Sequence, residues 1–279
     1  MIRVAAVQNN PRLGDVAANL AAIRAKLREA AEGGAKLVVF PECALTGYGF
    51  ASKEEGLAVA EPIPGGPSLR AIQQDCKTLD AFAVVGMLER DGERLFNACA
   101  LVGPTGVVGS YRKVHLPFLG IDRFTDPGDR PFAVLGAGGI KIGMHICYDG
   151  SFPEVGRVLT LLGAELLVLP TNWPRHSECA AEHMMICRAM ENVAYAMAVD
   201  RVGEEAGFRY IGRSSIVGTA GEVLAQAGPD AEEVLFADID PARARQKRLV
   251  RVPGLHEIDR IADRRPGFYG PLVEPNGRD

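Results

Sequence analysis

Gly34-Ala35-Lys36-Leu37-Val38-Val39-Phe40-Pro41-Glu42 returns in altered wording as Gly163-Ala164-Glu165-Leu166-Leu167-Val168-Leu169-Pro170-Thr171. Each is a short apolar, strand-like run that follows a helix-like segment and closes on a proline. The separation is too large for a solenoid repeat, so the echo reads as two related halves. Each half is expected to be a sheet with helices on its outer face, the inner sheet faces packing together. By the same echo Thr171 is the counterpart of Glu42, so only one half keeps the carboxylate.

Working outward from the first copy, Val16, Leu20, Ile23, Leu27, Ala30 and Ala31 recur at helical spacing between strand-like residues 2–8 and 36–40. That is a strand-helix-strand unit. Further strands are expected at 81–88, 95–102, 132–135, 194–202, 214–217 and 234–239. Gly103-Pro104-Thr105-Gly106 and Gly136-Ala137-Gly138-Gly139 suit tight reversals between them. The second is not a phosphate loop: it lacks the third glycine at the required spacing and leads into a strand.

Three chemically capable residues follow strand-like runs. Glu42 follows the first copy, Lys113 follows Val107-Val108-Gly109-Ser110-Tyr111-Arg112, and Cys147 closes Ile140-Lys141-Ile142-Gly143-Met144-His145-Ile146 and opens the polar turn Tyr148-Asp149-Gly150-Ser151. Singly, each has an ordinary explanation as a buried small hydrophobe or a solvated charge. Together they bring a thiol, a carboxylate and an ammonium to strand ends, where α/β sheets bind ligands.

The wording around them is Phe40-Pro41-Glu42-Cys43-Ala44-Leu45-Thr46-Gly47-Tyr48, then Tyr111-Arg112-Lys113-Val114-His115-Leu116, then Ile146-Cys147-Tyr148-Asp149-Gly150-Ser151-Phe152-Pro153-Glu154. In that order these blocks resemble the Glu-Lys-Cys hydrolases of the nitrilase superfamily, the carbon-nitrogen hydrolases. The resemblance extends to Val7-Gln8, Arg157, Asn172 and Arg188-Ala189-Met190-Glu191-Asn192, and runs from about Arg3 to Arg265-Pro266-Gly267-Phe268-Tyr269. It implies an α/β fold of the four-layer α-β-β-α sandwich type, one domain over residues 1–279, and a homodimer or larger symmetric assembly. Cys147-Tyr148-Asp149 is more like the amidase branches, including omega-amidase-like and carbamoyl-amide hydrolases, than like true nitrilases, which usually carry Trp and Glu after the nucleophile.

The implied reaction is cleavage of a non-peptide C–N bond of a small amide through a Cys147 thioester, giving a carboxylic acid plus ammonia or an amine. A thiol attacks only as thiolate, so Glu42 is the expected base; it can return the proton to the departing amine and later activate water. Lys113 suits the oxyanion, with the Tyr148 backbone N–H as second donor. No metal or organic cofactor is needed. Tyr148, Asn172 and Trp173 are candidate substrate-binding residues. So is Asp122, standing before Pro127-Gly128 where many members carry a further Glu. Alternatives are an N-carbamoyl-amine hydrolase, a nitrilase, or a non-catalytic interaction protein retaining the fold.

Composition fits one soluble enzyme domain: 279 residues, 47% hydrophobic, 24% charged, net charge −4. That balance gives no footprint for nucleic acid, no stretch has the length of a membrane span, and no signal core opens the chain. The cytoplasm is the expected compartment, and its reducing conditions suit the six cysteines, Cys43, Cys76, Cys99, Cys147, Cys179 and Cys187. His176, Cys179, His183 and Cys187 fall along one side of an expected helix and could ligate zinc, but closed zinc sites usually draw on more than one element. The resemblance instead makes this a buried helix leading to Arg188 and Glu191. Arg243, Arg245, Lys247, Arg248 and Arg251, after the helix start Asp240-Pro241, read as a solvated helix face or a dimer rim. Trp173 is a pocket wall or a core plug.

Overall fold

The computed structural model describes residues 1–275. In chain order its elements are β1 (Ile2–Gln8), α1 (Val16–Glu32), β2 (Leu37–Val39), α2 (Lys53–Val59), α3 (Pro67–Leu79), β3 (Phe82–Asp91), β4 (Arg94–Gly103), β5 (Gly106–Arg112), β6 (Val134–Ala137), β7 (Ile140–Met144), α4 (Pro153–Leu161), β8 (Leu166–Pro170), α5 (Met185–Asn192), β9 (Tyr195–Val199), β10 (Glu204–Glu205), β11 (Phe208–Arg209), β12 (Ser215–Val217), β13 (Val223–Gln226), β14 (Glu233–Ile239), α6 (Pro241–Arg245), β15 (Arg248–Val252) and β16 (His256–Asp259).

Two six-stranded sheets carry the fold, ordered β14-β1-β2-β3-β4-β5 and β13-β12-β9-β8-β7-β6. Side-chain alternation on a strand explains how they stack. In the first sheet Val4, Ala6, Leu37, Val39, Val84, Cys99 and Leu101 turn toward the second sheet and join Ile142, Leu166, Val168 and Met197 in one buried cluster. Their neighbours Ala5, Val7, Val38, Ala83, Val85, Ala100 and Val102 turn the other way, against Ile23, Leu27, Leu69 and Ile72 of α1 and α3. Val155 and Leu159 of α4 and Ala189 of α5 cover the second sheet. The layers are therefore helix, sheet, sheet, helix, and the two echoed runs are the parallel strands β2 and β8, each near the middle of its sheet.

Both expected reversals form. Gly103 pairs Gly106, leaving Pro104-Thr105 as the turn. Ala137 pairs Ile140, and the intervening Gly138 and Gly139 both have positive φ, 59° and 96°, as a two-residue turn of the I′ kind requires. Two expectations are corrected. The segment after His176 is not a wholly buried helix: His176 lies before it at φ 75°, residues 180–184 form a π-helical turn, and Cys179 and Cys187 are exposed. The basic helix stops at Arg245, and Arg248 and Arg251 belong to β15. Its charges are used locally, by Arg243 with Glu222, Arg245 with Glu165, Arg248 with Glu257, and Lys247 with the carbonyls of Asn192 and Val193.

Candidate active site

Strand direction gathers the chemistry. β2 and β3 run parallel, β4 reverses and β5 reverses again, so the carboxyl ends of β2 and β5 share an edge. In the second sheet β7, β8 and β9 are parallel neighbours. Each critical residue lies just past its strand, after one more ladder bond: Phe40 N to Val84 O (2.9 Å), Lys113 N to Asn97 O (2.8 Å) and His145 N to Val168 O (3.1 Å). The first sheet thus delivers Glu42 and Lys113. The second delivers Cys147, then Thr171 and Asn172, then Asp200, from three adjacent strand ends.

Glu42 sits in a turn pressed against β3 at Gly86. A Cβ there would stand 2.2 Å from Pro41 O and 2.6 Å from Cys43 N, so no other residue permits that approach. Lys113 Nζ donates to Glu42 Oε1 at 2.7 Å and to Asp122 Oδ2 at 2.5 Å, with all three side chains buried. Asn97 Nδ2 donates to the same two carboxylates, Glu42 Oε1 at 2.7 Å and Asp122 Oδ1 at 2.8 Å. The Tyr48 hydroxyl donates to Asp122 Oδ2 at 2.9 Å. Both oxygens of Asp122 are thereby occupied, and it holds Lys113. Glu42 Oε2, by contrast, is buried without a hydrogen-bond partner.

Electrostatics follow from burial. Desolvation raises the Glu42 pKa against the lowering effect of Lys113, and Asp122 adds to the rise. Burial alone would lower the Lys113 pKa, but the carboxylates of Asp122 and Glu42 overturn it and hold the ammonium charged. The Cys147 thiol is pushed up by burial and by Glu42, while Lys113, the Thr171 side chain and the Asn172 backbone N–H pull it down. Cys147 takes φ 46°, a left-handed conformation that a non-glycine residue rarely adopts, at the turn from β7 into a 3₁₀ segment over residues 147–151.

Two buried ties hold the loops. Asp149 Oδ2 accepts from Ile146 N (3.0 Å) and Tyr111 Oη (2.8 Å), and its Oδ1 from His115 N (3.0 Å). Glu205 Oε1 accepts from Tyr48 N and Gly49 N, both at 2.8 Å, and Arg201 Nη1 lies 2.8 Å from Glu205 Oε2. Both side-chain polar atoms of Asn172 and Asp200 Oδ2, past the neighbouring strand ends, are buried and unpartnered. Burial raises the Asp200 carboxyl well above the ordinary range.

The structure brings Glu42, Lys113, Asp122, Cys147 and Asn172 together. Trp173 is buried in the same central cluster as Cys147, its backbone N–H donating to Asp200 Oδ1 at 2.9 Å. The Tyr148 ring is half-exposed and edge-on to Phe152. Sequence reasoning missed Tyr48, Asn97, Asp149, Asp200 and Glu205. Tyr48 and Asp149 lay inside quoted blocks, but nothing in an isolated sequence reveals that Asn97, on β4, faces the carboxylates of Glu42 and Asp122. Among the described residues no three His, Cys, Asp or Glu side chains are grouped so as to hold a metal ion, the stretch from His176 to Cys187 included.

Residues 3–249 match the family described as carbon-nitrogen hydrolase, and the chain belongs to that family. It is 39% identical over 269 residues to a nitrilase of Pyrococcus abyssi, covering 96% of this chain and 99% of that one. It is 33% identical to an (R)-stereoselective amidase of Pseudomonas sp, covering 99% and 97% respectively. Among solved structures it is similar to an amidase of Nesterenkonia sp. AN1 carrying the acetamide moiety of fluoroacetamide on its active-site cysteine (25% identity, TM-score 0.79, covering 96% of this chain and 95% of that one).

Proposed function

We propose that this carbon-nitrogen hydrolase is an amidase of small amides working through a Cys147 thioester. The observation that carries the reading is the sharing of Lys113 Nζ between Glu42 Oε1 and Asp122 Oδ2, which leaves Glu42 Oε2 buried and unpartnered in a site whose Glu42 and Lys113 charges both act on the Cys147 thiol. Glu42 Oε2 takes the thiol proton and Sγ adds to the amide carbonyl. The oxyanion meets Lys113 and the Tyr148 N–H. Collapse breaks the C–N bond, and Glu42 returns its proton to the leaving ammonia or amine. Glu42 then takes a proton from water, the hydroxide adds to the thioester, and the acid departs as sulfur regains a proton. Asp122 acts as the second counterion of Lys113, and Asn172 and Trp173 line the acyl side.

The whole of 1–279 is read as one hydrolase domain, of which residues 276–279 lie outside the described part; the cluster joining the two sheets supports this. A homodimer or larger assembly is supported by exposed apolar side chains near the end of the described chain, Phe268 (82% exposed) and Val273 (86%) among them. No helix among the described residues is long and apolar enough to cross a membrane. Cytoplasmic residence is supported by six free thiols.

The test is ammonia release from a panel of primary amides, carbamoyl amines and nitriles, with Cys147→Ala alongside. The expected result is turnover of amides, none by the variant, and a trapped acyl mass on Cys147. Turnover of nitriles alone, or an active Cys147→Ala, rejects the reading.

A further inference from the structure

Asn97 stands on β4 opposite Leu88 of β3, 1% exposed, with every side-chain polar atom engaged. Its amide nitrogen carries two hydrogens, and both go to carboxylates, Glu42 Oε1 and Asp122 Oδ1. Its oxygen faces Cys43 Sγ at 3.6 Å, and its backbone carbonyl receives the Lys113 N–H at 2.8 Å. The amide has one sensible orientation: turned over, its oxygen would face two carboxylates.

We propose that Asn97 is a positioning residue that divides Glu42 into one anchored oxygen and one working oxygen. This rests on the reading of Glu42 as the proton carrier. Oε1 receives both Lys113 and Asn97, whereas Oε2 receives no hydrogen bond. A carboxylate held only by an ammonium is free to rotate and present either oxygen, because a point charge with rotatable donors follows whichever approaches. The planar amide of Asn97 removes that freedom. It is also neutral, so it supplies a donor without adding a second positive charge that would keep Glu42 permanently ionised. Oε2 is then the one oxygen that takes protons from thiol and water and returns them.

The experiment is the pH profile of kcat/KM for an amide that the wild-type enzyme hydrolyses, measured on Asn97→Leu, which removes both donors at similar volume, and Asn97→Ser, which keeps one. For Asn97→Leu the expectation is a fall in kcat of at least about tenfold with KM changed less than about threefold. The acid limb moves to higher pH, since Glu42 loses a donor to its charged form. Asn97→Ser falls between. An acid limb that stays in place in a folded, active variant overturns the proposal, whatever the loss in kcat. If Asn97→Leu does not fold, Asn97→Ser decides on the same limb, together with the pH dependence of chloroacetamide alkylation at Cys147, which needs no turnover. An unmoved limb in an active enzyme removes only the role of Asn97. A wild type that neither hydrolyses amides nor acylates Cys147 removes the role of Glu42 and this one with it.

Discussion

Asp149 Oδ1 accepts the His115 backbone N–H at 3.0 Å and lies 2.7 Å from His115 Nδ1. His115 is two residues beyond Lys113 and Asp149 two beyond Cys147, so one buried carboxylate fixes the loop of the ammonium to the loop of the thiol.

Asp149→Asn should therefore uncouple the two loops. An amide offers one acceptor oxygen where the carboxylate serves Ile146, Tyr111 and His115, and the orphaned donors should cost about 1–3 kcal/mol of stability. Burial opposes the Asp149 charge, but His115 and the backbone donors outweigh it and lower the pKa. Its stabilisation is thus present above the unfolded value near 3.8 and lost as pH falls through the folded one. Denaturant melts at neutral pH and near pH 3 check both parts; equal stability of wild type and variant at neutral pH would count against the tie.

Lys113→Met should abolish useful turnover, about 3 kcal/mol or more of transition-state stabilisation, and should also destabilise the fold, because Glu42 and Asp122 lose their shared cation. Adding Asp122→Asn to Lys113→Met should restore melting temperature without restoring activity. Recovery of activity in the double variant would mean that Lys113 serves only as a counterion.

Gly86→Ala should damage catalysis from outside the site. The added methyl meets Pro41 O and the Glu42 backbone, so the turn must shift. Stability should fall by about 1–3 kcal/mol, with a larger proportional loss in kcat than in substrate affinity. Steady-state kinetics with a melt are sufficient, and unchanged kcat would show that the turn yields freely.

His145 sets an acid limit. It is fully buried with neither ring nitrogen partnered, and desolvation lowers its pKa from 6.5 to about 4. Because the folded value is depressed, stability is complete above 6.5 and drains away as pH falls toward 4, by roughly 3 kcal/mol. His145→Leu should flatten that part of the stability curve while leaving the neutral-pH melt within about 1.5 kcal/mol.

Strands β2 and β8 were legible because apolar runs closed by proline advertise themselves, and the Gly138-Gly139 turn because its backbone demands those residues. Glu42, Lys113 and Cys147 were singled out by their places after strand-like runs together with the family-like wording around them, and each does lie just past its strand. Asn97, Asp200 and Glu205 were not, since their meaning is created by partners up to 157 residues away, as between Glu205 and Tyr48. Asp122 was half-legible: its place in the loop could be read, but its engagement on both oxygens depends on Tyr48 and Asn97. The basic run after Asp240-Pro241 misled because helix-start chemistry says nothing about where a helix stops, and the chain turns into β15 within a few residues.

The sandwich splits the proposed catalytic groups between its two sheets: Glu42, Lys113, Asp122 and Asn97 come from one, Cys147, Thr171 and Asn172 from the other. Neither sheet alone is an enzyme in miniature. One would hold Glu42 and Lys113 without the thiol, and the other the thiol without Glu42. Turnover is consequently a readout of docking between the halves: any mutation that lets the sheets slide apart should silence the enzyme before circular dichroism registers lost strands or helices.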